Sequence, residues 1–305
     1  MIRIDRLLIM ALLLSNRLLF AQALFQGMAQ PLDARGWGMG AAVASAVKYP
    51  SGFSFNPALL ANANSQWQLN YTKYVLDVKA TSAMLVLSNK GQSGLGLSYG
   101  YLDYGKFTAR DENASALGEY TVNDKYLRIA YGKKLTSRLN LGIAATWVNS
   151  NLADYNAQAL LGAIGANYYE PVSTFSWGIA WLNFGWLASG YLNQEEKLPS
   201  MLVLAVSKKL EHLPLIIALD LLRLQPAQYT LKLGGEFNLG QHLFLRWGTS
   251  TRRFQISSQA TLLNFVAGSS LGLGVVVKNW RLDCSWLSLG PAGQVTAFSI
   301  GQDIN

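Results

Sequence analysis

Tyr229-Thr230-Leu231-Lys232-Leu233-Gly234-Gly235-Glu236-Phe237-Asn238-Leu239 is the stretch that decides the fold of this chain. Tyr229, Leu231, Leu233, Phe237 and Leu239 alternate with Thr230, Lys232, Gly234, Glu236 and Asn238. A period of two is the signature of a strand that shows one apolar and one polar face. The pattern continues on both sides of a tight turn at Leu239-Gly240-Gln241: Leu243, Leu245 and Trp247 oppose His242, Phe244, Arg246 and Gly248. Leu271, Leu273, Val275 and Val277 then oppose Ser270, Gly272, Gly274 and Val276, and Trp280, Leu282, Cys284 and Trp286 oppose Arg281, Asp283 and Ser285.

Working outward from these strands, the same pattern predicts strands near 67–77, 79–88, 94–104, 119–133, 139–149, 158–169, 173–186, 199–210, 214–224, 228–239, 241–252, 266–278, 280–288 and 294–303. About fourteen strands, an even number joined by short turns, predict an all-β transmembrane antiparallel β-barrel. A soluble sandwich needs polar residues on its outward positions. Here Trp177, Ile179 and Trp181, or Leu95, Leu97, Tyr99 and Tyr101, line one face, and the other is nearly all Gly, Ala and Ser.

Composition agrees with a barrel in lipid. Only 14% of the residues are charged, against about 25% in a soluble globular domain. Beyond the N-terminus no run approaches the ~18 uninterrupted apolar residues of a membrane-spanning helix. Residues 1–23 read as a signal peptide, with Arg3 and Arg6 before the apolar run Leu7 to Leu14 and a small-x-small site at Ala21-Gln22-Ala23. Removing them takes away Arg3, Arg6, Arg17 and Asp5, so the net charge falls from +8 to +6. The remaining basic residues are scattered in pairs such as Lys133-Lys134, Lys208-Lys209 and Arg252-Arg253, with no aromatic interleaving, which argues against nucleic acid as a partner. Cys284 is the only cysteine and His212 and His242 the only histidines, so no metal motif and no internal disulfide is expected.

Residues 24–65 do not alternate, and are read as a plug inside the lumen of a barrel formed by 66–305. The inward faces, rich in Gly, Ala and Ser, leave room for it. Asn56-Pro57 is expected to cap a helical turn over Pro57 to Ala61. Asp220, Lys232, Glu236, Arg246, Arg281 and Asp283 fall on the polar side of neighbouring strands, where their charges can pair in the lumen and hold the plug in register. Thr136-Ser137-Arg138, Glu211-His212-Leu213 and Gly290-Pro291-Ala292-Gly293 are read as short turns at one end of the barrel, and Lys106 to Gly118 and Phe254 to Phe265 as long loops at the other. Within the first of these loops, Arg110, Asp111, Glu112 and Asn113 form a candidate partner-contacting surface. Seven tryptophans, Trp67, Trp147, Trp177, Trp186, Trp247, Trp280 and Trp286, are expected in interfacial girdles.

Ala34-Arg35-x-x-Gly38-Met39-Gly40-Ala41 followed by Phe55-Asn56-Pro57-Ala58-x-Leu60 resembles the N-terminal signature of the PorV/PorQ family of outer-membrane barrels, itself similar to the long-chain fatty-acid transporter FadL. Asp103-Tyr104-Gly105-Lys106-Phe107, Gly118 to Asp124, Lys197-Leu198-Pro199-Ser200 and Ser207 to Leu215 resemble the PorQ branch more than PorV. Lys48-Tyr49-Pro50 departs from it, standing where an acidic residue often follows the glycine motif. The resemblance implies a FadL-like, plugged barrel in the outer membrane. It further implies a component of the type IX secretion system that anchors a surface partner among the surface and membrane subunits of the attachment complex. It assigns the plug motif to Arg35, Gly38, Gly40, Asn56, Pro57 and Ala58.

No enzyme is expected. The chain has no nucleophile elbow, and Gly36-Trp37-Gly38-Met39-Gly40 follows no strand and lacks the lysine of a phosphate loop. No cofactor is expected either. The alternative function is a FadL-like transporter of long-chain fatty acids or other hydrophobic small molecules, which needs an apolar pocket near the outer mouth and a kinked strand beside it.

Overall fold

Fourteen segments alternate apolar and small or polar residues, and all fourteen are strands. They are β1 (Gln66–Lys73), β2 (Lys79–Asn89), β3 (Ser93–Arg110), β4 (Ala116–Lys134), β5 (Leu139–Leu152), β6 (Tyr155–Glu170), β7 (Phe175–Ser189), β8 (Met201–Lys209), β9 (Leu215–Leu224), β10 (Gln228–Leu239), β11 (Leu243–Ser250), β12 (Ser269–Val277), β13 (Trp280–Ser288) and β14 (Gln294–Asp303). The computed structural model describes residues 25–46, 49–113, 115–191, 197–224, 228–253 and 266–304. The expected signal peptide and the expected loop Phe254 to Phe265 lie outside the described residues.

Each strand pairs antiparallel with its neighbours in sequence, and β1 pairs with β14, Gln66 opposite Asp303 and Lys73 opposite Thr296. The barrel is therefore closed. Closure leaves no edge strand, so the ladder satisfies the backbone donors and acceptors that lipid cannot. On β10, Tyr229, Leu231 and Leu239 face out, and Thr230, Lys232, Gly234 and Glu236 are buried inward, as the alternation predicts. Leu204 on β8, Ile129 on β4 and Leu271 on β12 are among the large apolar side chains on the outer surface. Cys284 lies on that face, opposite Leu273 and Phe298.

Two details of the strands differ from expectation. β1 stops at Lys73, because Leu76 (φ 56°) and Asp77 (φ 59°) turn the chain through left-handed conformations in the short 3-10 turn Val75–Asp77. Lys106 to Gly118 is mostly not a loop. β3 and β4 continue their pairing to Arg110 and Ala116, Phe107 stacks on Tyr120 at 5.6 Å, and Lys106 lies 3.4 Å from Glu119. Cross-strand contacts of this kind extend a hairpin even where its composition is polar.

The connections at the two ends also sort differently. Thr136-Ser137-Arg138 and Glu211-His212-Leu213 lie at the end where β1 begins and β14 stops, the turn end. Gly290 to Gly293 joins β13 to β14 and therefore lies at the opposite, loop end, the end that also carries the β3–β4 tip. Its shortness reflects one tight 3-10 turn, Gly290–Ala292, and parity along the chain decides its side. Trp67, Trp177 and Trp280 face outward near the turn end, with Trp67 and Trp280 edge to face at 5.6 Å. Trp186 and Trp286 lie near the loop end, and Trp147 and Trp247 are outward but near the middle of their strands.

The segment before β1 lies inside the barrel and sweeps past the wall in reverse strand order. Ala34 N–H donates to Ser299 on β14 at 2.8 Å, Gly38 O accepts from Ser270 on β12 at 3.0 Å, and Val43 and Ala44 donate to Asp220 on β9. Ser45 O accepts from Ser207 on β8, and Asn56 donates to Ala166 O on β6. Pro57 and Leu60 then pass β4, β5 and β3 before the chain enters β1. Where the segment's backbone touches the wall, the wall carries glycine. A Cβ at Gly132 would fall 2.7 Å from Pro57 O, and one at Gly142 would meet the Pro57-Ala58 backbone. Gly94, Gly132, Gly142, Gly178, Gly234 and Gly248 thus form a track for the internal segment.

Candidate functional site

The short helix α1 (Ala34–Gly38) places Arg35 against the wall of β10. Its Nε donates to Glu236 Oε2 and its Nη2 to Glu236 Oε1, both at 2.8 Å. Glu236 faces Arg246 directly across β10 and β11, and Arg246 Nε donates to the same Oε2 at 2.6 Å. Arg246 Nη1 then reaches Asp283 on β13 at 2.6 Å. That reach crosses β12 at Gly274, where an added Cβ would lie 2.6 Å from the Arg246 guanidinium. Two arginines and two carboxylates alternate, so each buried charge has an opposite neighbour.

The other three predicted lumen charges do not join this chain. Asp220 lies opposite Lys232 in the β9–β10 ladder, but its carboxylate Oδ2 accepts from the backbone N–H of Val43 (2.8 Å) and Ala44 (2.9 Å). Lys232 sits over the Phe55 ring at 5.4 Å, and Arg281 over the Phe244 ring at 5.3 Å. Ladder position alone brings such side chains near one another. The internal segment decides which of them pair, because it supplies donors and rings of its own.

The motif residues of that segment each do a distinct job. Gly38 lies against β12 with its Cα track meeting Gly272, and Gly40 (φ 61°) passes the backbone of Gly248 and Thr249 in a conformation that few residues other than glycine adopt. Asn56 caps the 3-10 helix Pro57–Asn62: its Oδ1 accepts from Ala58 N–H at 3.1 Å, with Pro57 at the first helical position, as the sequence predicts. Its Nδ2 also donates to Ala44 O and Ala166 O, so one buried amide ties two parts of the segment to β6. Ala58 is fully buried. Asp33 accepts from the Tyr49 hydroxyl. Burial pushes the Asp33 carboxyl above its ordinary range, a push only partly opposed by that hydrogen bond, and burial beside Asp33 raises the Tyr49 phenol well above its usual value.

At the loop end, Arg110 ends β3 and Asp111, Glu112 and Asn113 form the hairpin tip. Asp111 Oδ1 accepts from Asn113 N–H at 2.9 Å and Ser115 N–H at 2.8 Å, so this side chain builds the turn. Below the tip, β3 bulges between Asp103 and Gly105, leaving Tyr104 out of the ladder. Tyr104 instead donates to Asp124 Oδ2 at 2.9 Å, and Ser150 donates to the other carboxylate oxygen. On β7, Asn183 (φ 58°) and Gly185 (φ 155°) accompany a second break of register against β6.

Among the spaces that flank the internal segment, two lie toward opposite ends of the barrel. The one toward the loop end is mostly apolar and lies between Phe25, Met28 and Leu32 and the inner faces of β1 to β5, with Tyr74, Asp124, Tyr126 and Val148 in its wall. The other, about 390 Å³, opens toward the turn end and is lined by Arg35, Tyr169, Ser207, Lys209, Glu236, Phe244 and Arg281. Asp124, Tyr104, Ser150 and the buried Arg128, which donates to Ser54 O at 2.7 Å and Thr146 Oγ1 at 2.9 Å, are missing from the sequence-derived sites. The signal was present: Leu127 and Ile129 face out, so Asp124, Tyr126 and Arg128 must face in.

No family model matches the chain, and no curated protein matches it. Among solved structures it resembles a Pseudomonas aeruginosa FadL homologue (TM-score 0.57, 13% identity, 90% of this chain and 98% of that one). It also resembles the monoaromatic hydrocarbon channel CymD (TM-score 0.60, 13% identity, 90% and 98%) and the Pseudomonas putida toluene transporter TodX (TM-score 0.57, 14% identity, 87% and 95%). At these identities the likeness establishes a shared fold, that of a membrane β-barrel.

Proposed function

We propose that the protein is an outer-membrane channel for hydrophobic small molecules, with the turn end toward the periplasm. One observation carries this reading: an apolar pocket at the loop end borders the bulge in β3 where Tyr104 leaves the ladder. A pocket that takes an apolar molecule from outside, next to a wall whose pairing is interrupted, offers a route from lumen to bilayer. The FadL-like fold, and neighbours described as toluene and monoaromatic hydrocarbon channels, support it. No catalytic group is needed.

The test is uptake. Cells of an outer-membrane-bearing host that express the chain should accumulate labelled toluene faster than cells carrying an empty vector. Equal rates would overturn the reading.

A second reading, an anchor within the type IX secretion system, is favoured by the β3–β4 hairpin, which projects beyond its neighbours and carries segments resembling the PorQ branch. Recovery of secretion-complex subunits with the protein from its native membrane, lost when residues 107–119 are replaced by a short turn, is the result this reading requires.

A further inference from the structure

Asp124 is a buried carboxylate, 8% exposed, without an ion-pair partner among the described residues. Among the described residues it is also the single charged one in the wall of the loop-end pocket. The nearest inward-facing cation on its strand, Arg128, is turned to Ser54 O and Thr146 Oγ1 instead. Hydroxyls of Tyr104 and Ser150 donate to its two oxygens, which hold the carboxylate in place and leave part of its roughly four-site acceptor capacity open. Around it stand aromatic rings: Tyr74 and Tyr126 line the same pocket, and the hydroxyl end of Tyr126 passes close over Gly100, where a Cβ would collide with it. Phe25 and Met28 supply the apolar side. The pocket is small, about 30 Å³, on the order of two water-sized groups.

We propose that this pocket is a head-group subsite for an organic ammonium: an apolar molecule bearing a primary amine, whose charge supplies the counter-ion that Asp124 lacks. An uncompensated buried charge is costly, and an ammonium beside that carboxylate, in a wall that carries tyrosine rings, gains an ion pair. A carboxylate of the same shape meets repulsion and no cationic partner. The inference rests on the channel reading and narrows its substrate class, setting amines above fatty acids.

Calorimetric titration of the detergent-solubilised protein at neutral pH with phenethylamine, 2-phenylethanol and phenylacetate tests it. Phenethylamine should bind about tenfold more tightly than phenylacetate, and Asp124→Asn should erase that preference. Should that variant fail to fold, Tyr126→Leu keeps the carboxylate and removes one aromatic wall, and the preference should fall several-fold. Phenylacetate binding as well as or better than the amine overturns the inference and leaves the channel reading standing. An undiminished amine preference in a folded Asp124→Asn protein also overturns it. Absence of binding by all three probes, together with equal toluene uptake, overturns both.

Discussion

Arg35 and Glu236 stand 201 positions apart in the chain and meet in a two-pronged ion pair, both bonds 2.8 Å long. Through it the segment before the first strand is fastened to the barrel wall, and Arg246 and Asp283 extend the fastening across two more strands.

Removing Glu236 takes the shared acceptor from two arginines at once and leaves Arg246 with Asp283, whereas removing Arg35 leaves Glu236 with Arg246. Glu236→Gln is therefore expected to cost more than Arg35→Met, about 3–5 kcal/mol for the former by the usual penalty for breaking a buried pair. Urea unfolding in detergent checks the order, and equal effects would show that Arg246 and Asp283 do not depend on Glu236.

Asp33 gives a pH dependence whose sign follows from its raised carboxyl. The folded state holds this proton more tightly than the unfolded chain, so its contribution to stability is full below the unfolded value and is lost as pH rises through the folded one. Asp33→Asn keeps an acceptor for Tyr49 and removes the charge. It should raise the melting temperature at neutral pH and flatten the acid side of the stability profile. A lower melting temperature at pH 7 would contradict the assignment.

Asn56 separates capping from tethering. Asn56→Asp keeps the cap to Ala58 but places a charge against the carbonyls of Ala44 and Ala166, while Asn56→Ala loses all three bonds without adding a charge. The aspartate variant should be the less stable, with the alanine variant losing about 2–3 kcal/mol. Thermal melts of the two variants side by side decide it.

The glycine track predicts strong asymmetry between the two faces of one strand. Gly142→Val puts a branched side chain into the Pro57-Ala58 backbone and should cost at least about 3 kcal/mol or unseat the internal segment. The neighbouring outward Leu141→Val should be almost silent. Limited proteolysis at the N-terminal segment reports the unseating directly.

The outer surface can be tested in the same way. Leu204, 51% exposed near the middle of β8, should tolerate Ala but lose about 2–4 kcal/mol as Arg when the protein is folded in a bilayer. In a soluble sandwich the same change would be harmless.

Period-two alternation reports which way a side chain points, and it placed all fourteen strands and the inward face bearing Lys232, Glu236, Arg246 and Asp283. It also marked Asn56-Pro57 as a capped turn, since cap chemistry acts over two residues. Other features were less legible. The β3–β4 hairpin reads as a loop in sequence because charges at Lys106, Arg110, Asp111, Glu112 and Glu119 crowd its end, and only the cross-strand stack of Phe107 on Tyr120 shows it to be paired. Asp124 and Arg128 do not stand out in sequence because a lone inward charge looks the same there whether it is paired, tethered to backbone or left facing a pocket.

By itself the sequence determined what local and periodic forces decide: strand number, the face each residue shows, and a glycine-rich segment that no lipid-facing strand can use. Tertiary structure alone decided what depends on distance across the lumen. It sends the internal segment past the wall in reverse order, joins Arg35 to Glu236 but leaves Arg281 over Phe244, and gives Asp124 two hydroxyls and, among the described residues, no cation. Arg35 and Glu236 are 201 positions apart, and even the shorter pairings, Tyr104 with Asp124 or Arg281 with Phe244, form only once the strands and the internal segment are packed together.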